Sequence, residues 1–188
     1  MNNEEIKRIF EEKGALLFGH FLLSSGMHSS GYLQCALVLQ FPSLAERLAE
    51  LLSEGFDPSE IDVVVSPALG GIIIGHEVAR AIRRRAIFCE REKGKMKLRR
   101  GFRIRKGERC LVIEDVFTTG GSIREVMENI KKEKGEVAGV GVLVDRSKRR
   151  GNIGVRFHSL LKLNLPLYKP EDCPLCKEGV PLRKPGSR

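Results

Sequence analysis

The chain has 188 residues, a formal net charge of +9 at pH 7, 30% charged and 41% hydrophobic residues, values that suit one soluble domain with its own core and exclude a disordered or collagen-like chain. No apolar run is long enough to span a bilayer, and the start, Met1-Asn2-Asn3-Glu4-Glu5, is acidic where a secretory signal is basic, so the expectation is a cytoplasmic protein without a membrane partner. Aromatic residues make up 6% with no Trp, which leaves no evident stacking surface for nucleic acid.

In chain order, residues 3 to 13 place Ile6, Ile9 and Phe10 at helical spacing and stop at Gly14. Residues 18 to 32 mix apolar side chains with hydroxyls and glycines, the pattern of a hydrogen-bonding loop or hairpin, and run into a strand-like stretch from Tyr32 to Val38. Pro42 to Glu54 reads as a helix with Leu44, Leu48, Leu51 and Leu52 on one face. Ile61 to Ser66 reads as a buried parallel strand. It ends in a tight turn, Ser66-Pro67-Ala68-Leu69-Gly70-Gly71, whose glycines let backbone amides approach an anion. The helix after it is predicted to run to about Arg85. The pair Gly70 and Gly75 is not a nucleotide P-loop, because His76-Glu77 stands where Lys-Ser/Thr is required.

Ala86 to Cys89 is a short predicted strand. From Arg91 to Arg109 ten basic residues crowd together against two acids, Glu92 and Glu108. Residues 93 to 102 show no clear period and repel one another, so a mobile loop or loose hairpin is expected.

The central stretch is Cys110-Leu-Val-Ile-Glu-Asp-Val-Phe-Thr-Thr-Gly-Gly-Ser122. Its order is strand, acidic tip, small-residue loop, helix. Glu114 and Asp115 would stand at the carboxyl edge of an open sheet, where ligands bind. Thr118, Thr119 and Ser122 hydroxyls, the Gly120 and Gly121 amides and the helix start suit a phosphate. The passage can hold a sugar phosphate, with the carboxylates on ribose hydroxyls. Ile123, Val126, Met127 and Ile130 then form a helical stripe. Val137 to Val144 is another buried strand, tipped by Asp145-Arg146. That arginine can pair bidentately with a planar carboxylate, or belong to the basic surface run ending at Arg150. Alternating strands and helices make the fold class α/β with a parallel sheet.

Five cysteines at irregular spacing make no disulfide framework. Cys35, Cys89 and Cys110 read as core residues. Cys173-Pro-Leu-Cys176 lacks the second ligand pair of a structural zinc site, and His20, His28, His76 and His158 show no ligand spacing. The pair reads as a structural turn of the tail or a bridge, with no metal ligand expected among the site residues.

The central stretch resembles the phosphoribosyl-diphosphate signature of the type I phosphoribosyltransferases, and the rest of the chain looks like the orotate phosphoribosyltransferases. Leu23-Ser24-Ser25-Gly26 with Tyr32 beyond it is similar to their hood motif, although some members carry a lysine where this chain has Ser24. The resemblance implies one domain over residues 1–188, with a central parallel sheet flanked by helices, a small hood at about 15–40 and a mobile basic lid at about 91–103. It implies transfer of the phosphoribosyl group from 5-phosphoribosyl 1-diphosphate to orotate, with Mg2+ as cofactor, in pyrimidine biosynthesis. Carried over residue by residue, the site comprises Glu114, Asp115, Val116, Phe117, Thr118, Thr119, Gly120, Gly121 and Ser122 for the phosphoribosyl group. Ala68, Leu69, Gly70 and Gly71 would cradle the diphosphate, and Arg146 with Thr118 would hold the base. Asp115 and the lid residues Arg91 and Lys95 are the expected catalytic groups, with Lys93 and Lys97 as alternatives to Lys95. A homodimer with shared active sites is implied. Two other readings stay open: transfer to another base, and a phosphoribosyl-diphosphate-sensing regulator that binds nucleic acid.

Overall fold

The computed structural model describes residues 1–23, 25–147 and 152–184. In chain order the elements are α1 (Asn3–Glu12), β1 (Leu16–Leu22), β2 (His28–Leu33), α2 (Ala36–Leu39), α3 (Pro42–Ser53), β3 (Val63–Pro67), α4 (Gly71–Ala81), β4 (Arg85–Glu92) and β5 (Lys95–Leu98). They continue with β6 (Arg109–Phe117), α5 (Gly121–Lys132), β7 (Glu136–Asp145), β8 (Phe157–Lys162), β9 (Leu167–Tyr168), α6 (Pro174–Lys177) and β10 (Leu182–Arg183). The main sheet has the order β5-β4-β3-β6-β7-β8 and is parallel except for β5, which turns back on β4 as a hairpin. A second sheet, β10-β1-β2-β9, joins both ends of the chain.

Strand residues alternate between two cores because side chains alternate across a pleated sheet. Val64, Leu111, Ile113 and Leu143 pack with Phe10, Leu48, Leu52 and Ile74 on the face of α1, α3 and α4. Val63, Val65, Val112, Val140 and Val142 pack with the α5 stripe Ile123, Val126, Met127 and Ile130 on the other. Each fully buried member of that stripe contributes roughly 1.5–3 kcal/mol, which is why α5 docks where its apolar face points. Gly139 and Gly141 interleave with the β7 valines because a Cβ there would stand 2.8 and 3.1 Å from the Phe56 ring. At the amino edge, Arg109 donates from Nε and Nη2 to Asp62 at 3.0 and 2.8 Å, locking β3 beside β6.

β3 leads through α4 to β4 on one side, while its neighbour on the other side is β6, so the strand order reverses between β3 and β6. The crevice beyond the carboxyl ends of two such strands is where open α/β sheets bind ligands.

Two stretches depart from the sequence reading, and a third takes one of its two expected forms. The expected strand to Val38 ends at Leu33, and Ala36–Leu39 is a short helix; Val38 and Leu39 are buried from that helix. α4 stops at Ala81 instead of near Arg85, because Arg83 turns left-handed (φ 55°) and Arg85 already pairs with Val63 in the sheet. The basic segment is a defined hairpin. Met96 is buried while Lys95 and Lys97 are exposed, a period-2 pattern that the charges obscured in the sequence.

Candidate active site

The three loops expected to bind substrate all leave the carboxyl edge of the main sheet. β3 ends at Pro67, β6 at Phe117, and Phe117 lies opposite Asp145 of β7. Parallel strands in register therefore bring Ala68–Gly71, Thr118–Ser122 and Arg146 to one rim.

Glu114 and Asp115 are partly buried at the end of β6. Burial, followed by the charge of Asp115, pushes the Glu114 carboxyl up to about 8, against the pull of the Ser122 hydroxyl and of Arg91. Burial also raises Asp115, although the Val116 amide donates to its Oδ1 at 2.9 Å. Neither carboxylate has an ion-pair partner among the described residues. Two adjacent acids taken from water without a cation are stabilised by whatever brings hydroxyl donors or a cation to them. Oxygen donors of this kind fit a magnesium ion that keeps its waters and phosphate ligands.

The first loop touches the acids directly. A Cβ on Gly70 would lie 2.7 Å from both carboxylate oxygens of Asp115. Gly70 has φ −57°, so glycine is required here by proximity and not by backbone conformation. Gly70→Ala is expected to displace either the turn or the Asp115 carboxylate, at a cost of about 1–3 kcal/mol. It should raise the KM for the expected phosphoribosyl donor about tenfold or more, as read from initial rates at varied donor; an unchanged KM would separate the turn from the acid pair. Leu69 is exposed in the same turn.

The second loop is shaped by Gly120, which is left-handed (φ 76°) and whose Cβ would strike the Phe117 ring at 2.6 Å. Arg124 of α5 donates from Nη1 to the Thr119 carbonyl. The loop thus opens α5 with its amides at the positive end of the helix dipole.

Arg146 is anchored by its backbone amide, which donates to the Phe117 carbonyl at 2.8 Å. Its guanidinium is partly buried, and burial lowers its pKa. Its buried Nε has no hydrogen-bond partner, and no carboxylate lies within ion-pair distance of it among the described residues. The neighbouring Asp145 turns to Ser147, whose amide and hydroxyl both donate to its Oδ1 at 2.9 and 2.6 Å. Cys35 feels both sides of the site, its buried thiol raised first by burial, then by Asp115, and opposed by Arg146.

The hairpin stands at the same rim. Pro67 is in register with Cys89, and β4 runs on to Glu92, so the Lys93-Gly94 turn projects three residues, about 10 Å, past the end of β3. Arg91 donates to Glu125 of α5 at 2.9 Å and to the Gly94 carbonyl at 2.7 Å, and the Met96 amide donates to the same Glu125 at 2.9 Å. Lys97 pairs with Glu92, Arg99 with Glu90 and Glu92, and Arg100 with Glu90. Lys93 and Lys95 have no such partner among the described residues, which leaves them available to an incoming anion. The anchor Glu125 was not found by sequence reasoning; it sits among ordinary surface charges of a helix.

Two of the histidines do have a spatial pattern. His20, His28, Cys173 and Cys176 converge, with their candidate ligand atoms within 4.8 Å of one another. The absence of ligand spacing holds along the chain and not in space, because strand pairing joins positions that linear spacing separates. All five cysteines are free, so the pair is not bridged, and Cys35, Cys89 and Cys110 are buried as expected. Ser24 of the hood motif and Lys148 to Arg150 of the basic run lie outside the described residues.

Residues 38–164 match the phosphoribosyl transferase domain family. The chain is 56% identical over 188 residues to an orotate phosphoribosyltransferase of Pelotomaculum thermopropionicum, covering 100% of this chain and 99% of the relative. It is 52% identical over 183 residues to that of Thermotoga petrophila, covering 97% and 98%. The crystal structure of orotate phosphoribosyltransferase from Aeropyrum pernix superposes with a TM-score of 0.72 at 29% identity, over 84% of this chain and 93% of that one. With the crevice at the β3/β6 reversal, the acid pair and the glycine loops in place, the chain belongs to the orotate phosphoribosyltransferase family.

Proposed function

We propose that the chain transfers the 5-phosphoribosyl group from 5-phosphoribosyl 1-diphosphate to orotate, giving orotidine 5'-monophosphate and diphosphate for pyrimidine nucleotide synthesis. The observation that carries the choice of base is Arg146, a partly buried guanidinium with an unpaired Nε and no carboxylate within ion-pair distance among the described residues. A planar carboxylate supplies what that group lacks.

In this reading the reaction breaks the ribose C1–oxygen bond to diphosphate and forms a bond from C1 to the ring nitrogen of orotate, which gives up its proton. Positive charge develops on the sugar as the diphosphate leaves. Glu114 and Asp115 accept from the ribose hydroxyls and favour that charge. Thr118 to Ser122 hold the 5-phosphate with hydroxyls and helix-end amides, and Thr118 also reaches the base. The Ala68–Gly71 amides take the diphosphate, and Lys95 closes over it, with Arg91 behind. A bound Mg2+ would neutralise the diphosphate and order it against the ribose hydroxyls, with Glu114 and Asp115 as the nearest carboxylates. No covalent nucleophile is needed.

The enzyme is read as a single domain of residues 1–188, with β1 and β2 forming its hood and residues 91–103 its lid. It works in the cytoplasm as a homodimer whose lids serve neighbouring sites. Among the described residues no helix is long and apolar enough to cross a membrane. The test is product formation from orotate, donor and Mg2+, with uracil, hypoxanthine and adenine as alternative acceptors. Orotidine 5'-monophosphate as the dominant product is expected, with activity lost on chelation of magnesium and restored by its return. Equal or faster reaction of an uncharged base would overturn the assignment.

A further inference from the structure

We infer that His20, His28, Cys173 and Cys176 form a structural zinc site that fastens the second sheet to the carboxyl-terminal segment. It lies on β1, β2 and around α6, and it stands independently of which base the enzyme uses. His20, His28 and Cys173 are buried, while Cys176 is exposed.

The hydrogen-bond chemistry of this cluster is incomplete without a cation. His20 Nδ1 lies 2.8 Å from the Val180 carbonyl, which can only accept, so Nδ1 carries the proton and Nε2 presents a single lone pair. Three groups crowd that lone pair: His28 Nδ1 at 2.9 Å, Cys173 Sγ at 3.4 Å and Cys176 Sγ at 3.7 Å. Cys176 Sγ also lies 3.4 Å from His28 Nδ1. One lone pair cannot serve three neighbours.

The same distances describe a ligand cage. Tetrahedral zinc with its usual bonds to nitrogen and sulfur spaces its ligand atoms roughly 3.3–3.8 Å apart. The three sulfur-to-nitrogen edges given above fall in that range, the His20–His28 edge needs to open by a few tenths of an ångström, and the two remaining edges, within the 4.8 Å that bounds the group, need to close by at most about 1 Å. A carbonyl holding the far nitrogen of a ligating histidine is the usual outer support of such a site. Two thiolates and two imidazoles select zinc over the hard cation required at the acid pair. On binding, the two thiols release two protons, and the site with its ion is neutral.

The cluster joins distant parts of the chain. β1 and β2 present the histidines, Cys173 and Cys176 flank the start of α6, and β10 adds to β1 with Leu182 opposite His20. Closing so long a loop with one ion lowers the entropy of the unfolded chain and stabilises the fold.

Protein purified without chelator is expected to contain about one zinc per chain by elemental analysis. Metal-stripped wild-type protein given Co2+ should show the visible bands of tetrahedral cobalt and a near-ultraviolet thiolate-to-cobalt band. Cys176→Ser, at an exposed position, should weaken that band, and His28→Ala should abolish the tetrahedral spectrum. Stripping wild-type protein should lower its thermal midpoint by on the order of 10 °C, with recovery on adding Zn2+. A chain that binds neither zinc nor cobalt overturns the proposal. So does a cobalt spectrum unchanged in Cys176→Ser, or, in unreduced denatured protein, two thiols that resist alkylation with a mass two hydrogen atoms below that of the free thiols, the mark of a Cys173–Cys176 bridge.

Discussion

Lys95→Ala is expected to lower the turnover number by roughly 100- to 1,000-fold, the usual loss when one well-placed donor to a developing anion is removed, while orotate affinity changes by less than about twofold. Lys97, Arg99 and Arg100 are held in pairs with Glu90 and Glu92, and Arg91 is held by Glu125. Lys95 stands exposed beside a turn whose Lys93 and Gly94 have φ of 50° and 81°, the left-handed pair typical of a tight hairpin. A short, rigid turn carrying an unpaired ammonium past the sheet edge can meet the leaving diphosphate without first breaking an ion pair. Lys97→Ala should therefore cost much less than Lys95→Ala. Steady-state kinetics with orotate binding measured separately decides the matter; equal losses for the two variants would return the three lysines to equivalence.

The same variant tests the dimer. If a lid acts in the neighbouring site, Lys95→Ala chains mixed with chains defective in base binding will form hybrids in which one site has neither defect. At equal mixing about a quarter of wild-type activity should return, because half the dimers are hybrid and half their sites intact. Lids acting only within their own subunit would leave the mixture as inactive as its parts.

The parts of the molecule legible in the sequence were those governed by local pattern. The α5 stripe, the buried strands β3, β6 and β7, and the acid-to-glycine passage at the end of β6 all announce themselves through periodicity and turn chemistry. What escaped depends on distance in space. Nothing in the neighbourhood of Gly70 says that its missing Cβ makes room for Asp115, forty-five residues later. The hairpin was one of two forms the sequence left open, and the ion pairs to Glu90, Glu92 and Glu125 that relieve the repulsion between its charges were not legible. The histidine and cysteine cluster was hidden by distance along the chain. Its two pairs belong to opposite ends of the chain, and only the β10-β1-β2-β9 sheet brings them together.

Arg146→Ala should raise the KM for orotate at least about 100-fold while leaving the affinity for the phosphoribosyl donor within a few-fold of wild type. Removing one partner of a buried, hydrogen-bonded charge pair costs roughly 2–5 kcal/mol, and the guanidinium is already partly desolvated before orotate arrives, so the free protein bears part of the cost that binding repays. A lysine side chain in its place would keep the charge but not the planar fork, so Arg146→Lys should recover only a minor part of the loss. Discrimination should fall as well: orotate loses its advantage over uracil, since the advantage lies in its carboxylate. Thr118 supplies the internal comparison, since the proposed reading has it serve both the phosphate loop and the base. Thr118→Ala should weaken both substrates modestly, whereas Arg146→Ala should weaken one severely. Donor and acceptor affinities measured separately for the two variants give that contrast directly. Equal losses for both substrates in Arg146→Ala would mean that the arginine holds the site together instead of reading the base.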